Sequence, residues 1–145
     1  WVLHQLRGLV GDSAFFSGLR SYYARYRDST ALSEDFARAM SQAAGQDLEW
    51  YFRQSLLQPG YPMLQIGWTH SGKKLTLDVR QTQPDGWGAY RLRHLILLVD
   101  GRPVRVDIEG RQNRIVVDGI KKKPKTIEVD PGGWWLLKSV VRGEM

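Results

Sequence analysis

Up to about residue 58 the apolar positions recur with a helical period. In DSAFFSGLRSYYARYR, Phe15, Leu19, Tyr22 and Tyr26 fall at i, i+4, i+7 and i+11, one stripe of an amphipathic helix. Ahead of it, WVLHQLRGLV spreads Val2, Leu3, Leu6, Leu9 and Val10 over a broad face, as in a helix buried inside a larger domain. Gly11 predicts a left-handed stop between the two helices, and Asp12 a cap for the second. In SEDFARAMSQAAG, Ser33 reads as the N-cap, and Glu34 and Asp35 suit the positive end of the helix dipole. Phe36, Ala39, Met40 and Ala43 form the apolar face, and Gly45 the stop. A fourth helix is predicted from Asp47, with Leu48, Tyr51, Phe52, Leu56 and Leu57 facing inward and Pro59-Gly60 ending it. Trp1 opens directly inside an apolar run, so the expectation is a piece cut from a longer protein.

After PGYP the period changes to two. MLQIGW, KLTLDV, YRLRHLILLV, PVRVDI, RIVV and TIEV are short runs rich in Val, Ile, Leu and Thr. Turn signals separate them: His70-Ser71-Gly72, Pro84-Asp85-Gly86, Asp100-Gly101, Glu109-Gly110, Asp118-Gly119 and Asp130-Pro131-Gly132-Gly133. The Asp-Gly in LVDGRPV is the signature of a two-residue hairpin. The prediction is an α+β chain: about four helices over residues 1–59, then a small antiparallel β-sandwich of six or seven strands over residues 60–145. The join is too short for a flexible linker, so direct packing of the two halves is expected.

Composition adds three constraints. No apolar run approaches the ~20 residues of a membrane-spanning helix, and the first residues lack the pattern of a signal peptide. There is no Cys, which removes disulfides, thiolate metal sites and cysteine nucleophiles, and sets no compartment. The net charge of +6 lies wholly in the second half: residues 1–59 carry 6 basic and 6 acidic groups, residues 60–145 carry 15 and 9. That bias raises nucleic acid or an acidic surface as a partner.

The chemistry-bearing residues do not assemble into a catalytic pattern. His4, His70 and His94 form no H-E-x-x-H pair, and each reads as a packing or surface histidine, with His70 in a turn and His94 in a strand. No G-x-S-x-G, P-loop, G-x-G-x-x-G or EF-hand loop occurs, and Ser17-Gly18 is an ordinary helical pair. Asp107 and Glu109 share one strand face, where acid–base work is conceivable, but Arg105 on the same face points to a solvated, charge-balanced surface. Lys121, Lys122, Lys123 and Lys125 surround Pro124 between predicted strands, where Lys and Pro protect sheet edges; stacking aromatics for nucleic acid are missing beside them, so no nucleic-acid partner is expected. Trp87, in the Gly-rich PDGWGAY, is the best candidate for stacking on a sugar. Trp50, Trp68, Trp134 and Trp135 read as structural.

The order of segments carries a resemblance. VLHQLRGLVG, FFSGLRSYYARY, SEDFARAM and the exit GQDLEWYFRQSLLQPGYP resemble the end of the thermolysin-like domain of the aminopeptidase N-like zinc metallopeptidases (gluzincins). The segments through IEVDPGGWWLLK resemble that family's immunoglobulin-like β-sandwich domain. The exit helix reads RQSLLQPGYP, with Ser55 where the family often has Trp. The resemblance implies a parent that binds one zinc through H-E-x-x-H and a later Glu, with the Glu of the motif as general base. It further implies a Gly-rich strand for the substrate's amino terminus and a Tyr that stabilises the tetrahedral intermediate. All of these are expected upstream of Trp1; Tyr22, Tyr23 and Tyr26 match none of them. No catalytic, cofactor-binding or metal-binding residue is therefore assigned in this chain, and the one zinc belongs to the parent. The implied partners are the upstream catalytic domain and, through it, peptide substrates. Self-association is expected through Val2, Leu3, Leu6, Leu9 and the Phe15/Leu19 stripe. The alternative reading is a free-standing β-sandwich module that binds protein or glycan.

Overall fold

The computed structural model describes residues 1–144. The chain divides into two compact units, Trp1–Gln58 and Pro59–Met145.

The first unit holds four helices: α1 (Val2–Val10), α2 (Asp12–Tyr26), α3 (Ser33–Ala44) and α4 (Glu49–Leu57). Gly11 joins α1 to α2 with φ 82° and ψ 162°, a positive φ but an extended ψ, so the break is a sharp corner rather than a left-handed cap. Asp12 sits inside α2 and does not cap it; its carboxylate takes two hydrogen bonds from Arg7, at 2.7 and 2.9 Å. α3 begins one residue earlier than predicted, with Ser33 inside the helix. Leu32 occupies the cap position, and Asp35 reaches back to accept the Leu32 amide at 3.0 Å, one half of a capping box. Gly45 takes the left-handed stop, at φ 63° and ψ 25°. α4 begins at Glu49 with Leu48 at the cap position; Asp47, predicted as its first residue, lies just ahead of the cap and accepts the Glu49 amide at 2.9 Å.

Gly18 sets the closeness of α2 to α3. It is buried, and a Cβ there would collide with the Met40 sulfur and sit 3.3 Å from the Ala43 Cβ. Beside that crossing a chain of aromatic rings runs through three helices: Tyr22 to Phe36 at 5.1 Å, then Phe36 to Phe52 at 5.8 Å, both edge-to-face. Tyr51 anchors α4 to α1 by donating its hydroxyl to the Val2 carbonyl at 2.6 Å. Leu56 and Leu57, predicted inward, are 51% and 76% exposed. They extend the α3–α4 groove beyond Phe52, and no side chain of this unit closes over them.

The second unit has seven strands: β1 (Met63–Ser71), β2 (Lys74–Gln81), β3 (Leu92–Val99), β4 (Arg102–Ile108), β5 (Gln112–Asp118), β6 (Ile127–Val129) and β7 (Lys138–Glu144). They form a four-stranded sheet in the order β5-β2-β1-β7 and a three-stranded sheet in the order β4-β3-β6. Alternation decides what is buried: Leu75, Leu77 and Val79 of β2 point inward, as do Val104, Val106 and Ile108 of β4. Trp68 and Trp135 join that core. Asp100 and Gly101 both take positive φ, 48° and 79°, in the two-residue β3–β4 hairpin. Among the described residues all pairings are antiparallel except one: β7 runs parallel to β1. β7 lies outside the six runs that the period-two pattern picks out, because KSVVRGE offers only two consecutive apolar residues. Among the described residues no helix is long and apolar enough to cross a membrane.

Candidate functional site

The three histidines lie apart and serve local packing. His4 is exposed on α1 and meets the Trp1 ring edge-on at 5.7 Å. His70 is in strand β1 rather than in a turn, since the β1–β2 hairpin turns at Gly72; its Nε2 lies 2.8 Å from the Ile120 carbonyl. His94 occupies a bulge in β3, at φ 57°, where the β3–β4 register shifts between Leu92 and Leu95.

That bulge explains the carboxylate pair. Asp107 accepts the His94 amide at 2.8 Å and the Arg93 guanidinium at 2.9 Å. Glu109 pairs with Arg93 and, at 3.6 Å, with Arg91. The balancing cations therefore come across the ladder from β3, not from Arg105 on the same strand. Partial burial would push the Asp107 carboxyl up; the His94 amide and the Arg93 guanidinium outweigh it and hold Asp107 below the usual carboxylate range. Asp107 is thus an ionised anchor of the bulge.

The lysine run occupies the connection from β5 to β6, which crosses from one sheet to the other. Pro124 is buried there while Lys121, Lys122, Lys123 and Lys125 are exposed. Asp100 fixes its far end by accepting the Lys125 and Thr126 amides, both at 2.9 Å. Trp87 is half-buried, with its ring against the Gly60 backbone, where a Cβ would collide with it, and 5.7 Å from Tyr61. Trp134 lies across Gly132 and is partly exposed, whereas Trp135 is buried. Of the helix tyrosines, Tyr22 packs against Tyr26 at a tilt and edge-on against Phe36, Tyr26 donates to Asp35, and Tyr23 faces solvent.

The most elaborate polar arrangement involves residues that no motif singled out. Gln81 and Gln83 are 3% and 2% exposed. Gln81 donates to the Tyr90 and Gly110 carbonyls, both at 2.7 Å, and accepts from the Tyr90 amide and from Gln83. Gln83 donates also to the Gly88 carbonyl and accepts the Met63 amide. Arg111 then donates to the Gln83 carbonyl at 2.7 Å. Gln81 fills its four hydrogen-bonding positions, and losing it would leave buried donors and acceptors unpaired at about 1–3 kcal/mol each. The pair ties the start of β1, the end of β2 and the approach to β3 together; it offers no nucleophile or acid.

Each unit carries an open concavity among its described residues. In the helical unit a groove of about 740 Å³ lies between α3 and α4, with Phe52, Leu56 and Leu57 along its floor and Glu34, Arg38 and Arg53 at its edge. In the strand unit a furrow of about 490 Å³ runs over the four-stranded sheet, lined by Gly67, Arg80, Arg114 and Arg142. Among the described residues no group of three or more His, Cys, Asp or Glu is placed to hold a metal ion.

No protein-family model matches the chain. Among curated proteins it is similar to aminopeptidase N of Lactococcus lactis subsp. lactis, 35% identical over 63 residues that make up 43% of this chain and 7% of the relative. Puromycin-sensitive aminopeptidase of Caenorhabditis elegans is 31% identical over 138 residues, 92% of this chain and 14% of the relative. The fold is also that of a segment of Legionella pneumophila aminopeptidase A, solved in complex with aspartic acid: the TM-score is 0.81 over 97% of this chain and 17% of that one, at 12% identity. The chain thus spans 7% and 14% of the lengths of these two curated relatives. The chain fits a C-terminal portion of an aminopeptidase N-like protein.

Proposed function

We propose that the chain is a framework portion of a zinc-dependent aminopeptidase. On this reading residues 1–59 close a thermolysin-like, gluzincin peptidase domain and residues 60–145 form an immunoglobulin-like β-sandwich domain. The parent enzyme removes single residues from peptide N-termini. This portion supports the catalytic helices and supplies no zinc ligand. The observation that carries the reading is the 31% identity to an aminopeptidase along 92% of the chain, through both units. The described residues do not fit a zinc site of their own, for want of a ligand cluster, and no chemical step is assigned to them. The partner of the segment is then the upstream catalytic domain, which brings the metal and the peptide substrate.

Two measurements test this. The upstream coding sequence is expected to hold H-E-x-x-H and a later Glu on a predicted helix; a parent without them overturns the enzymatic reading. The purified 145-residue chain, incubated with zinc and an aminoacyl-p-nitroanilide, is expected to show no turnover above buffer. Robust turnover would overturn the framework role.

A further inference from the structure

The outward face of the sheet β5-β2-β1-β7 carries the furrow described above, and its side chains follow from the pairing registers. Gly67 in β1 stands opposite Asp78 in β2, so one central position of the face has no side chain. Next to that gap, Arg80 is flanked by Gln65 on β1 and by Gln112 on β5. Arg114 on β5 pairs opposite Asp78, with a guanidinium nitrogen 3.9 Å from the carboxylate. Arg142 lines the furrow from β7. Three guanidinium groups therefore come from three of the four strands and border a floor that a glycine has lowered. Among the described residues only Arg114 of the three forms an ion pair, and Arg80 and Arg142 are exposed.

We propose that this furrow is a docking surface for an extended acidic peptide segment that crosses the sheet with carboxylates at alternate positions. Spacing supports the choice. Adjacent strands lie about 4.8 Å apart, so β5 to β7 spans about 14 Å, while an extended peptide repeats same-side residues about every 6.8 Å. Three alternate acidic side chains thus cover the distance from Arg114 to Arg142. Each guanidinium presents a planar fork that matches a carboxylate. The amides of Gln65 and Gln112 border the path and offer donors and acceptors to a peptide backbone. A nucleic-acid strand fits less well. Among the described residues the face displays no aromatic ring for base stacking, and the Asp78 carboxylate in the floor opposes a continuous polyanion while leaving room for a peptide of mixed side chains. The lysine run is elsewhere, on the crossing from β5 to β6, and is not part of the furrow. The inference does not depend on the peptidase reading, because it rests on the outer sheet face alone.

The test is fluorescence anisotropy with the 145-residue chain and a labelled peptide of alternating Glu and Ser. Saturable binding that weakens as salt rises is expected, with no binding of the matching Lys-Ser peptide. The exposed double substitution Arg80→Gln/Arg142→Gln should weaken binding about ten-fold or more, with an unchanged circular dichroism spectrum. Lys121→Gln/Lys122→Gln should leave binding intact. Failure to bind the acidic peptide overturns the proposal. So does an equal loss in the lysine variant, or tighter binding of a single-stranded oligonucleotide through the same two arginines.

Discussion

Tyr51 places its hydroxyl in the interior of the helical unit, where a backbone carbonyl takes the place of water. Burial raises its pKa to about 12, against partial relief from hydrogen bonding. The sign of the consequence is fixed. The unfolded phenol ionises near pH 10 and the folded one near 12, so the neutral form's stabilisation is complete below pH 10 and is lost as pH rises toward 12. A shift of that size corresponds to about 2–3 kcal/mol across the window. Tyr51→Phe keeps the ring and removes the ionisation. At pH 9 it should be less stable than the parent chain by about 1 kcal/mol, for the hydrogen bond to Val2. By pH 11.5 the gap should close or reverse in urea unfolding. A gap that stays constant from pH 9 to 11.5 would show that this phenol ionises as freely in the fold as out of it.

At the scale of elements, the crossing of α2 and α3 depends on the absence of a side chain at Gly18. Gly18→Leu should cost about 1–3 kcal/mol through overpacking. Met40→Ala, destabilising alone, should recover part of that loss in the double variant, because it vacates the volume the new side chain needs. Additive losses in a thermal-unfolding cycle would rule out the direct contact. Sequence pattern made the helices readable here, since the 3.6-residue period and the Gly45 stop are local signals. What it missed depended on chain segments far apart. Gln81 and Gln83 look like the polar end of a strand, yet their partners Tyr90, Gly88 and Gly110 come from other loops. Asp107 was expected to balance Arg105, two residues away, but the His94 bulge resets the ladder and brings Arg93 to it. Ser33 was read as the cap, yet Leu32 holds that position, because Asp35 supplies the acceptor from inside the helix.

For the whole molecule, the family was legible because it is written in the order of several segments, not in one motif. The apolar surface was only partly legible. Of the residues expected to drive self-association, Leu6, Leu9 and Phe15 are buried within their own unit, while Leu3 is 52% exposed. Phe16, Leu56 and Leu57 add to the apolar surface left in solvent. Apolar area of this kind is usually covered by a partner. The isolated chain is therefore expected to self-associate with rising concentration in sedimentation velocity, and Leu56→Ser/Leu57→Ser should shift it toward the monomer. A single monomeric boundary at high concentration would count against the expectation.

The parallel pairing of β7 with β1 also bears on the order in which the strand unit forms. β1, β2 and their hairpin are complete by residue 81, but β1 gains its second neighbour only when residues 138–144 arrive. Until then a central strand of the finished sheet is an edge, with a row of unpaired amides and carbonyls beside an apolar face. Closing so long a loop is entropically costly and places this unit among slow-folding topologies. A nascent chain on the ribosome would spend the synthesis time of residues 82–137 with that edge open, the interval in which a chaperone has most to protect.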